Sequence, residues 1–244
     1  MEPFISVPYK QYKNTFLQNV TVYHSFKCDR TYLQSKDFAD KYEVFFCDNF
    51  GLTPQRSFLD GGVSITSSDK VVSFNFAPNA IYVKVGARSY RSFNDSVLPQ
   101  ALKLEQFLQK VLKVEHVTAT AVRKVNIWPV SAMEDNHLDK EGVIDGIFSK
   151  QLLVTPSVEL DANEASIPLY KKFIWTSEND TVIARTAYLE SGQQKANLVL
   201  DIEARVDKVV KLSALTNNTI SLNRDLFDVY HWCVNPAIVS IMDQ

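Results

Sequence analysis

Arg123 is the residue whose setting most demands chemistry. It lies in an extended run, Val117 to Trp128, where strand alternation puts it on one face with Val117, Ala119, Ala121, Val125 and Ile127. A guanidinium among apolar neighbours must meet a carboxylate or a solvent-filled cleft, because an unpaired charge in low dielectric is prohibitively costly. A second run, Asn197 to Asp207, can answer it. Leu198, Leu200, Ile202, Ala204 and Val206 share one face there, and Asp201, Glu203, Arg205 and Asp207 share the other. If the two runs are neighbours, Asp201 or Glu203 can take both arms of the Arg123 fork. Two uses follow: a structural ion pair joining the halves of the chain, or an arginine lining a cleft for a small anionic ligand.

Three further groups carry chemistry-bearing residues. Arg224, Asp228 and His231 stand four and three residues apart along one flank of a C-terminal helix. An Asp-His pair is the skeleton of a general base, but no Ser or Cys nucleophile sits in an elbow or helix-start context, so a surface salt bridge beside a histidine is the plainer expectation. Lys84, Arg88 and Arg91 alternate with Tyr82, Tyr90 and Phe93 around Gly86, a mixture that can track phosphates and stack bases. The patch is small and the chain is net acidic, so nucleic acid is not the expected partner. His24 and Cys28 share a strand face and Cys47 follows on a helix, but the spacing supplies no metal-ligand set, and neither metal nor cofactor is expected. The chain contains no P-loop, no G-x-G-x-x-G, no H-E-x-x-H and no G-x-S-x-G.

The elements that must position these residues come from a chain of ordinary globular composition: 244 residues, 45% apolar, 22% charged, formal net charge −2. Residues 1–122 carry 14 Lys+Arg against 11 Asp+Glu, and residues 123–244 carry 12 against 17. The difference argues against a basic groove in the second half. Three widely spaced cysteines imply no disulfide framework. The start, Met1 to Pro8, lacks the basic and apolar regions of a signal peptide, and no run is long and apolar enough to span a membrane. A reducing cytoplasm is the expected setting.

Apolar periodicity predicts a strand over Val20–Lys27, a helix over Tyr32–Phe50, and three extended runs, Gly62–Ser67, Lys70–Ala77 and Ala80–Ala87. A helix from Ser96 to Leu112 follows, capped by Asp95 or Ser96, with Pro99 in its first turn. After the Arg123 strand come an acidic stretch, Glu134 to Asp145, and a short helix near Lys140–Gln151. Three strands, Lys171–Thr176, Thr181–Glu190 and Ala196–Val206, precede a final helix starting near Ser221 or Asn223 and breaking at Asn235 before Pro236. The expected class is α+β, an antiparallel sheet or sheets with long helices on one face. The order reads β-α-β-β-β-α twice, which admits an internal duplication with tightly joined halves, 1–115 and 116–244.

The motif Val122-Arg123-Lys124-Val125-Asn126 resembles the apolar-Arg-Tyr/Lys-Ile-Asn strand of a sporadically distributed family of uncharacterised bacterial proteins about 250 residues long. Leu200-Asp201-Ile202-Glu203 is similar to that family's Leu-Asp-Ile-Asp strand. Leu226 to Met242, with Tyr230-His231-Trp232, resembles its C-terminal helix, and the run Ala80–Ala87, the Tyr90 loop and the following helix match its first-half layout. The chain departs where the family has Arg-x-Gly before that strand, carrying Ala119 and Ala121 instead. The resemblance implies no activity and no catalytic residues; patchy distribution implies accessory or defence-type genes. The expected function is a non-enzymatic protein-interaction or regulatory module, its partner another protein met through the acidic stretch and the sheet faces, with self-association also compatible. The alternatives are a binder of, or enzyme acting on, a small anionic ligand near Arg123, and third, nucleic-acid binding.

Overall fold

A computed structural model describes residues 4–12, 15–27, 30–33, 35–50, 55–59, 62–77, 79–131, 139–158, 169–178, 180–190 and 194–242. Cys28, Gly51, Pro78 and residues 134–138 of the acidic stretch lie outside them. The protein is α+β, built on antiparallel pairing. The chain forms two compact units, neither continuous in sequence: one comprises residues 19–122 and 205–223, the other residues 1–18, 123–204 and 224–244. By sequence the first carries 15 Lys+Arg against 11 Asp+Glu and the second 11 against 17. They are called here the basic and the acidic unit.

In the basic unit β1 (Leu17–Ser25) is followed by α1 (Arg30–Leu33), α2 (Lys36–Phe50), β2 (Gln55–Leu59), β3 (Gly62–Thr66), β4 (Val72–Ala77), β5 (Ala80–Gly86) and α3 (Leu98–Lys110). The strands lie in the order β2-β3-β4-β5-β1. Register puts Phe74 opposite Val83 and Val83 opposite Val22, and likewise Phe76 opposite Ile81. These residues, all buried, form one face. Phe38, Tyr42 and Phe46 of α2 and Phe107 of α3 close on it, with Phe38 and Phe76 ring centroids 4.5 Å apart and Phe46 and Phe74 4.4 Å apart. These six aromatic rings share contacts and stabilise the helix layer by area burial and by edge-to-face geometry. The opposite face carries Thr21, Tyr23, Ser64, Ser73, Asn75, Tyr82 and Lys84. Gly86 is needed where it stands, because a Cβ there would meet the Val71 carbonyl oxygen at 3.3 Å, and its N–H donates to that oxygen at 2.8 Å.

In the acidic unit the strands are β7 (Ala119–Ser131, entering at Arg123), β8 (Leu169–Thr176), β9 (Asp180–Glu190) and β10 (Lys195–Val206), in the order β7-β10-β9-β8. Helices α4 (Lys140–Ile147) and α5 (Lys150–Val154) join β7 to β8, while α6 (Leu212–Cys233), which enters this unit at Arg224, and α7 (Pro236–Met242) follow β10. Trp128 of β7 meets Phe148 and stacks on Tyr230 of α6, with centroids 6.2 and 6.4 Å away. Ser149 caps α5 by accepting the Leu152 N–H at 3.1 Å, and its hydroxyl donates to the Trp232 carbonyl at 2.5 Å. Short strands β6 (His116–Val117) and β11 (Val210–Lys211) pair antiparallel in the basic unit.

The element order repeats as expected, with β2 as an unforeseen addition. The strand order repeats too: β3-β4-β5-β1 in the first half corresponds to β8-β9-β10-β7 in the second. Four boundaries shift. The helix expected over Tyr32–Phe50 is interrupted at Ser35, whose hydroxyl donates to the Tyr32 carbonyl and accepts the Phe38 N–H, starting a new helix. Ser92, not Asp95 or Ser96, caps the helical segment before α3, accepting the Asp95 N–H at 3.0 Å, and residues Phe93–Val97 form a π-helical turn. The helix near Lys140–Gln151 is two helices. Most notably, α6 starts at Leu212, well before Ser221. Leu215, Leu222, Leu226 and Val229 give it a buried stripe that overrides the weak helix preference of Thr216, Asn217, Asn218 and Thr219. No described helix is long and apolar enough to cross a membrane.

Candidate functional site

The acidic unit brings Arg123 and Asp201 together. Arg123 donates from Nε to Asp201 Oδ1 and from Nη2 to Oδ2, both at 2.7 Å. Strand geometry sets this up, because the period of two turns both residues away from the Trp128 and Leu200 faces of their strands. Arg185 on β9 donates from Nη1 to the same Oδ2 at 3.4 Å. Lys172 on β8 lies directly across from Arg185 in the register and is buried. Four charged residues, three of them cationic, thus share one sheet face in a row. Asp201 is 10% exposed at its side chain, Arg185 21% and Arg123 36%. Glu203, the other sequence candidate, is half-buried two residues along the same face. Lys124, next to Arg123, points to the opposite face, where burial lowers its ammonium pKa to about 8.

Arg185 and Lys172 escaped the sequence reading. The alternation Val182/Ala184 against Ile183/Arg185, and Phe173/Trp175 against Lys172/Ile174, placed each on a non-core face, but nothing local named their neighbours.

Asp228 and His231 are not joined into an acid-base pair by the described contacts; both serve the N-terminal segment. Asp228 Oδ1 accepts the Val7 N–H at 3.0 Å, and Arg224 stands 3.8 Å away. Arg224 donates to Ser6 Oγ at 3.1 Å and to the Val7 carbonyl, while lying over the Tyr9 ring at 5.9 Å. His231 Nε2 and the Tyr12 hydroxyl are 2.5 Å apart. These side chains strap residues 4–12 onto the end of α6.

Lys84, Arg88, Tyr90 and Arg91 lie at the end of β5 and in the turn beyond it. Lys84, Arg88 and Arg91 are exposed and Tyr90 is half-buried. Lys84 shares its face with Tyr82, which stands opposite Tyr23. The two phenol rings are 5.1 Å apart and tilted by 35°. Elsewhere in the basic unit an open hollow of ≈ 540 Å³ is lined by Gln109, Lys113, Glu115, His116, Lys211 and Ser213. Its mixture of Lys113 and Lys211 with Glu115 selects neither sign of charge.

His24 is fully buried. Thr120 donates to the Tyr23 carbonyl at 3.2 Å, so His24 Nδ1–H donates to Thr120 Oγ1, 2.9 Å away. Its Nε2 has no partner among the described residues, and burial lowers its pKa to about 3. Among the described residues no group of three or more His, Cys, Asp or Glu side chains is placed to hold a metal ion. Cys47 and Cys233 are thiols, and burial raises the pKa of both. No protein-family model and no curated protein matches the chain.

Proposed function

We propose that the protein is a non-enzymatic recognition module whose acidic unit docks a carboxylate-bearing segment of a partner protein on the sheet face carrying Lys172, Arg185 and Arg123. One observation supports this reading above the others. Two guanidiniums, both partly exposed, converge on the carboxylate of Asp201, and Lys172 lies across from Arg185 on the same face. Asp201 fixes both forks in advance, which reduces the side-chain entropy lost when a partner binds. Arginine in such a setting presents a planar, weakly hydrated donor array and recurs as an anchor in protein interfaces. A strand face offers a broad, shallow surface, which suits a macromolecule better than a metabolite. The surrounding unit is net acidic, so the attraction is local and long-range steering is weak.

A displayed library of random peptides panned against the purified protein tests this. Enriched peptides should carry paired Asp or Glu residues and lose about tenfold in affinity on Arg185→Ala, with the fold retained by circular dichroism. Enrichment indifferent to Arg185 and Arg123 rejects the reading. So does thermal stabilisation by di- or tricarboxylates without any acidic peptide, which moves the site to the small-anion class.

A further inference from the structure

We propose that the face of the basic unit opposite its helices is a stacking platform for single-stranded nucleic acid, centred on Tyr23 and Tyr82. The two tyrosines form a cross-strand pair on β1 and β5, which are neighbours in the order β2-β3-β4-β5-β1. Their ring centroids are 5.1 Å apart, and both side chains are half-buried on a face that is mainly polar and also holds Ala77 and Ala80. Aromatic rings on adjacent strands of a sheet are an arrangement on which unstacked bases lie flat.

The surroundings fit a base and its phosphate. Asn75 stands opposite Tyr82, with Ser64 and Ser73 on the next positions of the same face. Asn75 is buried and donates from Nδ2 to Ser73 Oγ at 3.1 Å, which fixes its amide. Ser64 and Asn75 are buried and Ser73 is half-buried, so the Ser73 hydroxyl is the group placed to pair with the polar edge of a stacked base. Lys84, exposed, lies opposite Ser73 and Thr21 on the same face, and exposed Arg88 and Arg91 follow just beyond the strand end.

Charge complementarity supports the choice of partner. The whole chain, at −2, argues against nucleic acid. That total conceals an excess of 15 basic over 11 acidic residues in this unit, offset by the other unit. A field acts over roughly a Debye length, and Lys84, Arg88 and Arg91 supply positive charge on this face and just beyond it. A purely structural tyrosine pair accounts for the ring contact, but not for rings left partly exposed beside Ser73 and the exposed Lys84.

Fluorescence anisotropy of labelled oligo-U, oligo-dT and a blunt DNA duplex at low salt, using the full chain, tests the proposal. Both single strands should bind and the duplex should not; a preference for oligo-U over oligo-dT identifies the ligand as RNA, and equal affinity shows that the sugar is not read. Tyr82→Ala should weaken binding about tenfold or more, Tyr82→Phe should retain most of it because the stacking ring remains, and Lys84→Ala should flatten the salt dependence. Arg185→Ala, in the other unit, should change nothing, which separates this test from that of the acidic-peptide site. Absence of single-strand binding, equal binding of the duplex, or an affinity unmoved by Tyr82→Ala overturns the proposal. An acidic peptide whose binding depends on Tyr82 overturns it too.

Discussion

Arg123 and Asp201 meet through two parallel N–H···O contacts of 2.7 Å, and Asp201 Oδ2 takes a further donor from Arg185. The carboxylate is the hub and the guanidiniums are its spokes. That asymmetry orders the consequences of substitution.

Asp201→Asn should cost more stability than Arg123→Met. The first leaves two cations facing each other at a mostly buried point, and about 1–3 kcal/mol is the expected loss. The second leaves Asp201 paired with Arg185 and places an apolar chain beside Val125, so its cost should stay below about 1 kcal/mol, given the partial solvent exposure of Arg123. Urea denaturation of both variants measures the difference. Equal losses, or a larger loss for Arg123→Met, would contradict an arrangement organised around the carboxylate.

His24 makes the fold sensitive to acid. Its folded pKa of about 3 lies below the unfolded value of 6.5, so between these two values the unfolded chain binds a proton that the native state refuses. Stability is fully present above about pH 6.5 and declines towards pH 3, by up to about 1.4 kcal/mol per pH unit from this residue alone. His24→Leu should flatten the profile between pH 6.5 and 5, above the range where ordinary carboxylates titrate. Denaturation midpoints for the variant that still fall as steeply as wild type in that window would assign the acid sensitivity elsewhere.

Glu105 carries the opposite sign. Burial raises its carboxyl pKa, partly offset by the Thr216 hydroxyl donating to Oε2 at 2.8 Å, and Oε1 is buried without a partner among the described residues. A raised acid favours the protonated native state, so this residue's contribution is present at low pH and lost as pH rises through the folded value. Glu105→Gln keeps an acceptor for Thr216 and removes the buried charge. It should therefore raise the melting temperature at pH 7 and give no gain in acid, a crossover that differential scanning fluorimetry at two pH values would show or refute.

How far the sequence carried these arguments differs from residue to residue. Arg123 and Asp201 were legible because strand alternation is local: a period of two fixes which side chains share a face, whatever the fold. The strand order was not legible, and with it Arg185, Lys172 and the Tyr23–Tyr82 pair, because which strand lies beside which is decided by long-range packing. The start of α6 was hidden for a related reason. Thr216 to Thr219 reads as turn or strand by propensity, and only burial of Leu215 and Leu222 against the rest of the unit makes it helix. Asp228 and His231 were placed correctly on one helix flank, but their use depends on residues more than two hundred positions earlier in the chain.

That N-terminal attachment can be loosened selectively. Asp228→Ala leaves the Val7 N–H without its acceptor and removes the anion beside Arg224, while the Tyr9 and Tyr12 rings keep their contacts with Phe227 at 4.8 and 6.0 Å. One lost charge-assisted hydrogen bond is worth about 1–2 kcal/mol of local opening free energy, so amide exchange over residues 4–12 should accelerate about five- to thirtyfold. Exchange in β4 and β5 should not change, because both strands belong to the other compact unit. His231→Ala should produce a smaller acceleration, since it removes one hydrogen bond from Tyr12 and leaves the backbone contact at Val7 in place. Hydrogen–deuterium exchange read by mass spectrometry resolves the N-terminal peptide from the strands. If Asp228→Ala left that peptide as protected as in wild type, the aromatic contacts alone would hold the segment, and Arg224 and Asp228 would be bystanders on the helix surface.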